Sequence, residues 1–170
     1  MSLSVRPSPV EYPPFHQGYV GKAEGPDLLE ALRIAERCSH HVPKTVSEVK
    51  ARFRHAQAKW STEEVVQHLI DRERVFAYRA LRFARKDIPP LPGFEENDHA
   101  PAAEADHLTL DALMRVLDLV RSSNMLMIQG IPSGTWVRSG NSNGRPVPVR
   151  AICRVIAGHS NHHTAVLAER

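Results

Sequence analysis

Residues 60–86 read WSTEEVVQHLIDRERVFAYRALRFARK. Ser61 followed three residues later by Glu64 is the reciprocal capping pattern that opens a helix. Behind it Val65, Leu69, Phe76, Ala80 and Phe83 recur at helical spacing and form one apolar stripe. Asp87-Ile88-Pro89-Pro90 then closes the run, because proline offers no backbone N–H and restricts the residue before it. The segment predicts a long amphipathic helix from about Thr62 to Lys86, and such a helix must bury its stripe against others.

Three partners are legible on either side. Before it, Leu28, Leu29, Ala31, Leu32 and Ala35 repeat at the same spacing after Pro26 and fade near Ser39. After it, Leu108, Ala112, Leu113, Val116, Leu119, Val120 and Met127 mark a third helix, with Asp106 or Thr109 as its cap and Gly130 as its stop. The fourth begins near Val149. The stretch 130–149, with Asn143-Gly144 at its centre, suits at most a short hairpin. The proline-rich connection 88–101 is longer than a bundle loop requires and is of a kind that often lines a site. These elements imply an all-α fold, a four-helix bundle with long connections occupying residues 25–170. Residues 1–24 contain four of the 13 prolines, show no period, and are expected to form an extended N-terminal arm.

Composition removes several classes of function. With 42% hydrophobic and 24% charged residues, 170 residues are enough for an ordinary core. The net charge of +3 is spread through mixed-sign stretches such as DRERVFAYRALRFARKD, which suits a solvated helix face and gives no nucleic-acid footprint. No apolar run approaches the roughly 20 residues that span a bilayer, and the N-terminus lacks a secretory apolar segment, so a cytoplasmic protein is expected. Cys38 and Cys153 match no zinc-ligand spacing and are expected as free thiols.

Ten histidines are the unusual feature. On a helical wheel Val149, Ile152, Val155, Ile156, Val166 and Leu167 share one arc of the fourth helix, with Arg150, Arg154, Asn161 and Ala165 opposite. His159 and His163 fall inside the apolar arc, one turn apart. A single core histidine is usually just a hydrogen-bonded residue; two at this spacing can also share one ion, and the pair alone leaves both readings open. His68, beside the stripe of the second helix, would be the third ligand of a divalent-metal site with an open coordination position. His162 on the flank and Asp71 one turn after His68 are candidates for groups that steady the ligands. Glu73 lies within the apolar stripe of the second helix. It is expected either to pair with an arginine or to serve as a catalytic base near the metal. His16, His99 and His107 are expected in solvated positions, and His55 in a connecting segment.

The run KWSTEEVVQHLIDRERVFAYRALRFARKDIPPLPGF (59–94) and the segment AGHSNHH (157–163) resemble the corresponding motifs of the DinB/YfiT-like superfamily, and weaker similarity extends from Tyr12 through the first helix and around Trp136. The one departure noted is Lys86, where glycine is usual, expected to be a surface change. The resemblance implies a four-helix bundle whose metal ligands are His68, His159 and His163. It also implies zinc or nickel as the ion, and the chemistry of a metal-dependent transferase or hydrolase acting on a small-molecule substrate. Relatives of this kind include thiol S-transferases that use a low-molecular-weight thiol and a mycothiol-dependent maleylpyruvate isomerase. A metal-dependent enzyme is the first expectation. A non-catalytic, metal-stabilised bundle that binds a partner is the alternative, and a homodimer through exposed helix faces is expected in either case.

Overall fold

In the computed structural model residues 6–42, 46–54, 56, 59–87 and 89–169 are described. In chain order they form α1 (Gln17–Lys22), α2 (Leu28–Ser39), α3 (Glu48–Ala51), α4 (Thr62–Ala84), α5 (Glu96–Ala102), α6 (Leu110–Gln129), β1 (Ser139–Ser142), β2 (Arg145–Pro148) and α7 (Val149–Ala168). Short 3₁₀ turns fill several of the intervals. His55 lies outside the described residues.

The long helices begin where their caps dictate. Ser61 Oγ accepts the Glu64 N–H at 3.1 Å, and the Glu64 carboxylate returns the bond to the Ser61 N–H at 2.7 Å. Asp27 caps α2 through the Glu30 N–H, and Thr109 caps α6 through the Ala112 N–H. At the far end of α4 the Lys86 N–H bonds Phe83 O and the Asp87 N–H bonds Arg82 O, with Lys86 itself left-handed at φ 61°. This pairing is the Schellman arrangement, whose left-handed position favours glycine. The lysine expected to be a neutral surface change therefore occupies a strained backbone position, and α4 ends at Ala84 rather than Lys86.

The bundle is not wound up and down in sequence order. Helix α7 packs on α4 and α2, and α6 packs on α4 and, less extensively, on α2. Thus α2 and α4 occupy one diagonal of the bundle, and α6 and α7 the other. One core gathers Leu32, Phe76, Phe83, Trp136, Ile152 and Ile156; a second gathers Val65, Leu69, Ile70, Leu113, Leu117 and Leu167.

The hairpin forms at the place its sequence proposes. Asn143 and Gly144 both take positive φ, 54° and 75°, as a two-residue hairpin turn of matching twist requires. β1 and β2 pair from Ser139↔Pro148 to Ser142↔Arg145. The hairpin lies against α4 so closely that a Cβ on Gly140 would stand 2.0 Å from the Phe83 ring. Leu91 joins its edge through the Leu91 N–H to Asn141 O and the Asn143 N–H to Leu91 O, both 2.9 Å, which draws the 89–95 connection to the end of the bundle. Further along, that connection contains α5, a helix the proline-rich composition conceals.

The N-terminal segment departs most from expectation. In place of an extended arm it forms two 3₁₀ turns and α1, and α1 packs along α7. Val20 and Ala23 are buried in the same core as Ile152 and Ile156, so a boundary at residue 24 separates no packing unit. Gly158 makes the approach possible: a Cβ there would lie 1.7 Å from Tyr19 O. The same cover explains Arg154, expected on the outer face of the fourth helix but 1% exposed, with its guanidinium donating to Ala23 O. Cys38 and Cys153 are free thiols, and burial pushes Cys153 up to about 12. Among the described residues no helix is long and apolar enough to cross a membrane.

Candidate metal centre

Helix α4 presents His68 and helix α7 presents His159 and His163 to the seam between them. The i, i+4 spacing stacks the two α7 rings 4.5 Å apart centroid to centroid, and His68 lies 4.9 Å from one and 5.0 Å from the other. His68 Nε2 stands 3.1 Å from His159 Nε2, and one ligand nitrogen from each of the three rings falls within 4.8 Å of the others. Tetrahedral zinc with bonds of about 2.05 Å would separate its nitrogens by about 3.3 Å, so the closest pair is already near a coordination edge.

Electrostatics suit the same purpose. His68 and His159 are buried and His163 is half-buried. Burial first, then the neighbouring His163 and Arg72, pulls His68 down to about 3. His159 is driven well below the ordinary histidine range, again chiefly by desolvation. Both rings are therefore neutral at physiological pH, the form in which imidazole gives its lone pair to a metal. Three neutral imidazoles suit zinc or nickel by donor type.

Aromatic rings wall the cluster. Trp60, just before α4, lies 4.9 Å from His68, and Tyr19 of α1 lies 5.1 Å from His159 and 5.7 Å from His162. His162 is half-buried against His163, ring centroids 5.0 Å apart. Arg72, one turn after His68, points its Nε at His159 Nε2 over a long 3.5 Å and pairs with Glu96 of α5 at 3.1 Å. Sequence reasoning passed over Tyr19 and Arg72. The i+4 step from His68 to Arg72 was the available signal for the second; Tyr19 sits in a segment without periodicity.

The two carboxylates expected near the ion each have a partner of their own. Glu73 receives Arg121 Nε at 2.6 Å and Nη2 at 2.7 Å, and Arg121 Nη1 continues to Leu32 O at 3.0 Å. Both partners are almost fully buried, so α4, α6 and α2 are tied by one charged network. Of its two expected roles, Glu73 takes the ion pair. Asp71 accepts from Gln67 at 2.9 Å and faces an outer groove that it shares with Asp98 and His99. His107, bonded to Glu104 O, borders that groove. His16, expected in solvent, is 5% exposed beneath α4.

Residues 31–167 match the model of the DinB superfamily. A candidate metal-dependent hydrolase of Geobacillus kaustophilus (strain HTA426) is 24% identical over 111 residues, 64% of this chain, and the chain spans only 62% of that curated relative's length. Among solved structures the fold is similar to YfiT from Bacillus subtilis, described as a candidate metal-dependent hydrolase with an unusual four-helix bundle topology. It aligns at a TM-score of 0.74 with 12% identity, covering 84% of this chain and 82% of that one. With 137 consecutive positions matched, the chain belongs to the DinB superfamily.

Proposed function

We propose that this protein is a metal-dependent hydrolase in which His68, His159 and His163 hold one zinc or nickel ion. The observation that carries the reading is a three-nitrogen cluster, two of its rings buried and neutral and the third half-buried, with no fourth residue joining the group among the described residues. Three protein ligands with an open position characterise reactive sites, whereas structural zinc is closed by four. This favours an enzyme over a bundle merely tied by metal. The similarity to a candidate metal-dependent hydrolase of G. kaustophilus supports hydrolysis in particular.

When bound, the ion supplies Lewis acidity, polarising a substrate oxygen and bringing the pKa of a water toward neutrality. The chain supplies the rest. Trp60 and Tyr19 flank the cluster, and the half-buried edge at His163 leaves a route for substrate. In an ester hydrolysis the water oxygen bonds to the acyl carbon, the C–O bond breaks, and the departing alcohol takes the proton released by water. His162, against His163 and partly open to solvent, is positioned to relay it. Glu73 holds the scaffold in this reading and touches no reacting atom.

Chain purified without a histidine tag should carry about one divalent ion per molecule by elemental analysis and hydrolyse p-nitrophenyl acetate at a rate abolished by chelation and restored by zinc or nickel. A His163→Ala chain should do neither. A metal-free wild type without metal-stimulated hydrolysis would overturn the proposal. The same open position would accept a low-molecular-weight thiol as thiolate; faster zinc-dependent conjugation of bacillithiol to an electrophile than ester cleavage would replace hydrolysis by thiol transfer. The two free cysteines fit a reducing compartment such as the cytoplasm. Leu119 and Leu126, two turns apart and mostly exposed on α6, form the surface proposed for a homodimer.

A further inference from the structure

Along α4, His68 is followed at helical spacing by Arg72, Phe76 and Arg79, one continuous stripe. Beyond Arg72 the stripe leaves the histidines and forms the floor of a separate cleft of about 60 Å³. Phe15 and His16 of the N-terminal turns, Gly93 and Phe94 of the connection before α5, and Ser142 and Asn143 of the hairpin wall it. Arg72 and Phe76 line both this cleft and the narrow seam beside His159.

The cleft holds more positive charge than the protein neutralises. Arg79 is 7% exposed and has one protein bond, Nη2 to Pro92 O at 2.7 Å; among the described residues no carboxylate pairs with it. Its guanidinium lies 5.3 Å from the Phe76 ring centre and that of Arg72 lies 5.0 Å from the same centre. Burial, and then the Arg72 charge, lowers Arg79 from its ordinary value. His16 lines the cleft, and its Nδ1 is enclosed without a hydrogen-bond partner. Glu96 pairs with Arg72 and is partly exposed, and Glu73, beside Arg72 in the seam, is held by Arg121. A buried guanidinium without an anion is costly, and a carboxylate bound to it by charge-assisted hydrogen bonds would offset that cost.

We propose that Arg79, with Arg72 and His16, binds the carboxylate of a small organic acid, making this cleft the specificity subsite of the neighbouring metal centre. The cleft, about 60 Å³, is small and suits a planar carboxylate group. At 1.5 Å rise per residue Arg72 and Arg79 lie roughly 6 and 17 Å along α4 from His68, so the reacting bond stands many bonds away from a carboxylate held between them. The substrate class rests on the hydrolase reading above; the anion site itself does not.

Titration of the metal-free full-length chain with acetate, followed by calorimetry or by ¹³C NMR line broadening, separates the two. Saturable acetate binding in the millimolar range is expected, weakened at least tenfold in Arg79→Gln and partly retained in Arg79→Lys. His16→Gln, which leaves the Pro92 tether intact, should weaken it several-fold and serves if Arg79→Gln unfolds. No saturable binding, unchanged affinity in folded Arg79→Gln, or phosphate bound more tightly than acetate would each overturn the subsite. A wild-type chain that binds acetate yet takes up neither zinc nor nickel would sink the hydrolase reading and leave this one standing.

Discussion

Glu73→Gln discriminates a scaffold carboxylate from a catalytic one. The substitution keeps shape and one acceptor oxygen but removes the negative charge from a pair in which Arg121 is 2% exposed and bonded through Nε and Nη2. Breaking a buried pair leaves an uncompensated charge, which costs about 3–5 kcal/mol. For 170 residues the unfolding entropy is about 0.36 kcal/mol per kelvin, so the midpoint of thermal unfolding should fall by about 8–14 °C. Circular dichroism melts of metal-free wild type and variant measure this directly. Below the variant's transition its zinc affinity should stay within threefold of wild type, because both Glu73 oxygens are engaged by Arg121. A drop of less than 3 °C combined with a tenfold or greater loss of zinc affinity or of hydrolysis would refute the structural role.

Zinc at one hundred times its dissociation constant should stabilise the chain by about 2.7 kcal/mol, a rise of about 8 °C, and His159→Ala should abolish the rise in paired melts with and without zinc. Lys86→Gly should raise the melting midpoint by about 2–4 °C, because glycine adopts the left-handed conformation at the end of α4 without the cost a lysine carries. Gly158→Ala should release α1 from α7, read as faster amide exchange across residues 17–22 and at least a tenfold gain in proteolytic cutting there; unchanged protection would mean that Tyr19 O is not the obstacle. Acid should weaken the fold through His16, whose value falls to about 4, mainly by burial. Since the unfolded chain takes its proton near 6.5 and the folded chain only near 4, stability should decline as pH falls across that window. The decline should be shallower in His16→Phe, as denaturant titrations at pH 7, 5.5 and 4 would reveal.

Local chemistry explains which parts of this molecule could be read in advance. The Ser61–Glu64 cap, Thr109 before α6 and the Asn143-Gly144 turn each act within four residues, so their sequence patterns translate directly into structure. The histidines were legible for a related reason: a polar ring on an apolar arc is conspicuous, and i, i+4 spacing fixes its partner. The missed features depend on contacts between distant segments. Residues 17–22, QGYVGK, have no stripe to reveal a helix, and α1 is held by a groove that Gly158 opens well over a hundred residues later. Arg154 and His16 were misplaced as a consequence, one by being covered and the other by doing the covering. Glu73 stayed ambiguous because Arg121 stands on another helix, at a position no pattern within α4 specifies.

The diagonal placement of consecutive helices bears on how the chain can come together. Among the described residues α4 and α6 are the only sequential long helices that touch extensively, while α7 contacts α1, α2 and α4, all made earlier. Until residues 149–168 leave the ribosome, the nascent polypeptide lacks the rod around which the others gather, and its oily surfaces must wait for a chaperone or for one another. A ribosome-stalled product ending at Pro148 should therefore be protease-sensitive and bind a hydrophobic dye, and should acquire resistance only when the missing rod is supplied.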